Sequence, residues 1–87
     1  MKVKQGFMLR EIANNYVVVP VGKAAIDFNG IITLNQTGAF LWEQLQEEIS
    51  LASLQQKLMA EYEVDEKTAL ADIKDFIDHL KTNNLLE

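Results

Sequence analysis

His79 is the only histidine in the chain, and Asp75, four residues earlier, shares its face if that segment is helical. A lone His-Asp pair holds a metal only with further ligands from elsewhere, and a partly exposed surface histidine is the stronger reading. Asp27, Asp65, Asp72 and Asp75 offer carboxylates for acid-base work. Nothing places two of them across a substrate, and helix caps and solvated faces account for them better. Ser50 and Ser53 fall where a cap and a first helical turn are expected, with no histidine base nearby in sequence, so capping outweighs a hydroxyl nucleophile. The chain has no cysteine, which removes thiol nucleophiles, thiolate metal sites and disulfides. Gly22, Gly30 and Gly38 form neither G-x-G-x-x-G nor a loop ending in G-K-S/T, so no phosphate cradle is expected. The inventory favours binding over catalysis, with no cofactor and no metal held by this chain.

The elements that must position such a binding surface fit in one domain, residues 1–87. A chain of 87 residues buries only about 60–65 % of its unfolded surface and cannot feed two cores. Hydrophobic residues are 48 % and charged residues 24 %, an ordinary globular composition. Eight Lys and Arg against thirteen Asp and Glu give a formal charge of -5, which repels phosphate backbones. The basic residues make no stripe: Lys67, Lys74 and Lys81 are set among Asp65, Glu66, Asp72, Asp75 and Asp78. Proteins or peptides are therefore the expected partners, not nucleic acid, and a winged-helix DNA-binding regulator is the alternative. The basic start, Met1 to Lys4, leads into no signal-like apolar core, and no apolar run approaches 18 residues, so a cytoplasmic protein without a membrane span is expected.

Phe7 to Ile12 and Tyr16 to Val21 are rich in strand formers, and Asn14-Asn15 suits a tight turn between them. Pro20 lacks an amide donor and belongs at a strand end or on an unpaired side. Residues 23–29 read equally as a strand continuation, a helical turn or a connection across the sheet. Asn29-Gly30 is a second turn signal, and Ile31, Ile32, Thr33 and Leu34 make a third strand.

From Asn35 the period changes. Asn35 caps a helix with Leu41, Trp42, Leu45 and Ile49 inward, ending near Glu47 or Glu48. Ser50 caps a short helix with Leu51, Leu54, Leu58 and Met59 at helical spacing. Asp65 or its neighbour starts the longest helix, with Ala69, Ile73, Phe76, Ile77 and Leu80 on one face. Asn83-Asn84 stops it, and Leu85-Leu86 then folds back on the core or pairs briefly with the sheet. Trp42 is read as core. Ile73 and Phe76 are either core or the floor of a groove beside the third strand.

An open strand edge is an aggregation hazard unless it is short, blocked or used. Residues 31–34 carry no proline or lysine gatekeeper, so a guest peptide can add a strand there while its alternate side chains enter the groove. A homodimer through the same edge is a further alternative.

The ordered set Ile32-Thr33-Leu34-Asn35-Gln36-Thr37-Gly38-Ala39 with Leu41-Trp42, then Leu54 and Leu58 before Tyr62-Glu63-Val64-Asp65, then Asp72-Ile73, Phe76-Ile77, Leu80 and Leu85-Leu86, resembles the PqqD family. That resemblance covers nearly the full length. It implies an α+β, winged-helix-like fold, a three-stranded antiparallel sheet followed by a three-helix bundle. It also implies binding of the leader segment of a ribosomally made precursor peptide as an added strand, for delivery to a radical S-adenosylmethionine (SAM) or other peptide-modifying enzyme that holds the cofactors itself. Mapped here, Ile31, Ile32, Thr33 and Leu34 would pair with the guest, Ala69, Ile73 and Phe76 would form the pocket, and Lys74 would meet an acidic leader side chain. The connection at 22–29 is longer than the simple hairpin of the quinone-pathway member, and the sequence leaves open whether it covers the edge.

Overall fold

The computed structural model describes residues 1–27 and 30–87. Phe28 and Asn29, and with them part of the turn expected at Asn29-Gly30, lie outside the described residues. The fold is α+β, with a three-stranded antiparallel sheet in the order β1-β2-β3 and helices that follow it.

Strand β1 (Phe7–Ile12) pairs with β2 (Asn15–Pro20), Phe7 opposite Pro20 and Ile12 opposite Asn15. The turn is therefore Ala13-Asn14, both left-handed at φ 51 and 69, one residue before the expected Asn14-Asn15. The missing amide of Pro20 explains the shift. A two-residue turn closes on a hydrogen-bonded pair, and bonding then alternates along the ladder. With Ile12 and Asn15 as that pair, Pro20 owes β1 no donor; a turn one residue later would have asked it for one.

Strand β3 (Ile32–Leu34) pairs with the other side of β2, Ile32 opposite Val18 and Leu34 opposite Tyr16. Pro20 limits this ladder as well, because the next bonded position in this register would need its amide. Ile31, expected in the strand, lies before it and is exposed. The connection contains one helical turn, α1 (Ala24–Asp27), so of the three readings for this stretch the helical one holds over those residues.

Helix α2 (Gln36–Gln44) starts at Asn35, whose Oδ1 accepts from the Gly38 amide at 2.7 Å. It stops earlier than Glu47, because the Leu45 amide is shared between the Leu41 and Trp42 carbonyls and the Leu45 carbonyl accepts from the Val3 amide at 2.9 Å. Helix α3 (Leu51–Tyr62) starts at Ser50 and ends where Glu63 turns left-handed at φ 52; its 12 residues exceed the short helix expected. Leu51, read as part of its stripe, is largely exposed. Helix α4 (Glu66–Thr82) is the longest at 17 residues, capped by Asp65 accepting from the Thr68 amide at 2.7 Å. Beyond it Asn84 is left-handed, Leu85 is buried, and Leu86 pairs with Val3 rather than with the sheet.

One core joins Val18, Ile32 and Leu34 of the sheet to Leu41, Trp42 and Leu45, to Leu54 and Leu58, and to the α4 stripe Ala69, Ile73, Ile77 and Leu80. Trp42 is buried, as its spacing implied. Helices α2, α3 and α4 all contact one another, and α2 also contacts β3, so α2 lies against both that strand and α4.

Candidate functional site

Ile32 and Leu34 bury their side chains and, by the alternation described above, direct their backbone groups to Val18 and Tyr16. Thr33 does the opposite on both counts. Its side chain is exposed, and its N–H and C=O point away from the sheet along the outer edge. Among the described residues, no backbone hydrogen bond reaches residues 31–34 from outside the sheet. The α1 turn closes on Val21, Gly22 and Lys23, and Ala24 packs against Gly6, so its described bonds run to its own start and not to the edge.

Beside that edge, β3 and α4 flank a cleft of about 310 Å³. Leu34, Leu41 and Phe76 supply its apolar lining, with Thr33, Asn35 and Thr37 on the strand side. Gly38 brings the first turn of α2 up to both walls. A Cβ there would stand 3.2 Å from Asn35 Oδ1, 3.3 Å from Leu34 Cβ and 3.4 Å from Phe76 Cε1. The α4 wall is formed by Asp72, Asp75, Phe76 and His79, which share one helix face, and among the described residues no lysine or arginine lines the cleft. Asp72 also borders a smaller hollow of about 240 Å³ with Thr37, Leu58, Tyr62 and Val64. There Tyr62 stacks edge-on with Phe40 at 5.7 Å, and burial, followed by nearby Glu61, pushes its hydroxyl above the usual phenol range.

The residues expected at the site divide. Thr33, Leu34 and Phe76 line the cleft, and Ile32 lies buried behind it. Ile31 is solvent-exposed at the entrance to the strand. Ala69 and Ile73 are fully buried in the core, and Lys74 is exposed and absent from the cleft lining. Sequence reasoning missed Asp72, Asp75 and His79 as a wall. Their signal was the spacing of three, four and seven residues from Asp72 to Asp75, Phe76 and His79, on a helix whose buried stripe was already apparent. Among the described residues no group of His, Cys, Asp and Glu could hold a metal ion, and no helix is long and apolar enough to cross a membrane. An open strand edge beside an apolar-floored cleft can take an extended chain: main-chain bonds at the edge, alternate side chains inside.

Residues 15–86 match the model of a family described as coenzyme PQQ synthesis protein D (PqqD). No curated protein matches by sequence. Among solved structures, TbiB1 in complex with the TbiA(beta) leader peptide is 25% identical with a TM-score of 0.76, over 100% of this chain and 95% of that one. Lasso peptide synthetase B1 complexed with the leader peptide is 24% identical with a TM-score of 0.72, over 97% of this chain and 93% of that one, a likeness of fold.

Proposed function

This chain belongs to the PqqD family, and from that membership we propose that it binds the leader segment of a ribosomally made precursor peptide by strand addition along the outer edge of β3. The observation that carries the reading is the outward-facing backbone of Thr33 directly beside the β3–α4 cleft. The TbiB1 likeness supports it, since that structure is a complex with a leader peptide.

In this reading the guest exchanges hydrogen bonds with Thr33 and with Ile31, each contributing about 0.5–1.5 kcal/mol net whatever the guest sequence. Discrimination then falls to the guest side chains on either side of the Thr33 partner. They point to the same face as Ile32 and Leu34, into the cleft over Phe76. Ala69 and Ile73 support that floor from the core. The chain contributes recognition and no bond-making step. Modification belongs to a partner enzyme, a radical SAM enzyme or another of the peptide-modifying class, to which the bound precursor is delivered. The whole chain acts as one recognition domain, and a second copy pairing through the same edge would compete with the guest.

Thr33→Pro tests this. It deletes an amide that faces away from β2, so the sheet survives, as circular dichroism will show. Affinity for a leader peptide that the parent chain binds falls at least tenfold, about 1.4 kcal/mol, in a fluorescence-anisotropy titration. Unchanged affinity in the folded variant would refute strand addition at this edge.

A further inference from the structure

The cleft has an uneven chemistry that the strand-addition reading does not itself require. Its floor is apolar at Leu34, Leu41 and Phe76, while the charged groups on its α4 wall are the carboxylates of Asp72 and Asp75. Both are exposed, and among the described residues neither takes part in an ion pair. The nearest lysine in sequence, Lys74, is not part of the lining and offers them no cover within the cleft. A carboxylate rim beside a small apolar floor complements one kind of side chain, a long cation whose methylene stem lies on the apolar patch while its head reaches the acids. A shorter apolar side chain would fill the floor and leave the rim unused, and an acidic one would meet like charge.

Resting on the peptide-binding reading above, we propose that the guest strand places a lysine or arginine over Leu34 and Phe76 with its cationic head between Asp72 and Asp75. Strand geometry sets its place. The guest residue bonded to Thr33 faces outward, so the basic residue is its immediate neighbour, and the next inward position lies two residues away at the level of Ile32. Asp72 and Asp75 thus act as specificity-determining residues, and the leader class taken is basic at one inward position. The chain's charge of -5 adds only a general attraction for cations, which a local substitution separates from the specific one.

The probe is a displayed library of random 12-residue peptides, selected at 150 mM salt against the full chain and against Asp72→Lys/Asp75→Lys. Clones that bind Thr33→Pro equally well are discarded as binding elsewhere. Wild-type selection is expected to enrich Lys or Arg at one position of an alternating pattern, and the double variant to lose that enrichment. Lys→Glu in the best synthetic peptide is expected to weaken wild-type binding about tenfold and to strengthen binding to the double variant. Edge-dependent peptides that are neutral or acidic at that position would overturn the charge assignment while leaving strand addition standing. Enrichment of no edge-dependent peptide at all would overturn both.

Discussion

At Gly38 the absent side chain lets the first turn of α2 press on β3 and α4 together, with Leu34 Cβ and Phe76 Cε1 within 3.4 Å of where a Cβ would stand. In Gly38→Ala the helix gains about 0.5–1 kcal/mol of propensity, which the crowding against a strand Cβ offsets. The melting midpoint is therefore expected to move by only a few degrees, while peptide affinity falls several-fold as Phe76 is displaced into the cleft. A variant that binds as tightly as the parent would show that the floor has room to spare. The same neighbourhood explains why the site was half legible beforehand. Phe76 was readable as either core or groove, and it serves as both, buried yet lining the cleft. Lys74 and the Asp72–Asp75 pair flank the same apolar stripe on opposite sides, at roughly 100° per residue. Periodicity alone gives no hint which flank turns toward the strand; only the packing of α4 against α2 and α3 decides that.

Asp65 shows what a local signal can carry by itself. Its backbone hydrogen bond from Thr68, joined by a side-chain one, holds the carboxyl below the usual carboxylate range. A depressed value in the folded state means that the cap stabilises α4 above the unfolded value and loses that contribution as pH falls through the folded one. Thermal melts of the parent and of Asp65→Asn, whose amide caps independently of pH, should therefore converge or cross below about pH 4. Parallel curves would show the cap to be inert. The helix starts at Asn35, Ser50 and Asp65 were legible because each rests on one side chain bonding an amide three residues on. The ends of α2 and β3 were not, because distant groups set them. The Val3 amide takes the Leu45 carbonyl, and Pro20 withholds the donor that would lengthen β3. Pro20 was correctly placed at a strand end, but its consequence for the Ala13-Asn14 turn appears only once the register is laid out.

The termini close the fold around the helices: the Lys4 amide bonds the Leu85 carbonyl at 2.8 Å and the Glu87 amide bonds Lys2 at 2.9 Å, tying both chain ends to one face. The β3 edge is not among the groups so engaged. A charge of -5 and acids along the α4 wall both oppose a phosphate backbone. In electrophoretic assays with duplex DNA at 150 mM salt no retarded complex is expected; a sequence-dependent shift would favour the regulator alternative. The order of strands and helices was visible in strand formers, turn residues and helical spacing, and their arrangement in the family resemblance, whereas the charge of the cleft had to wait for the placement of α4. The claim on which the function depends is that Thr33 offers its backbone to a guest strand, and backbone amide resonances read that event directly. Titration of the isotopically labelled chain with the precursor peptide is expected to shift the Thr33 amide strongly and slow its hydrogen exchange, with smaller shifts at Gly38, Asp72, Phe76 and His79. Saturable binding that leaves the Thr33 amide unmoved and concentrates its shifts on a distant surface would contradict the account.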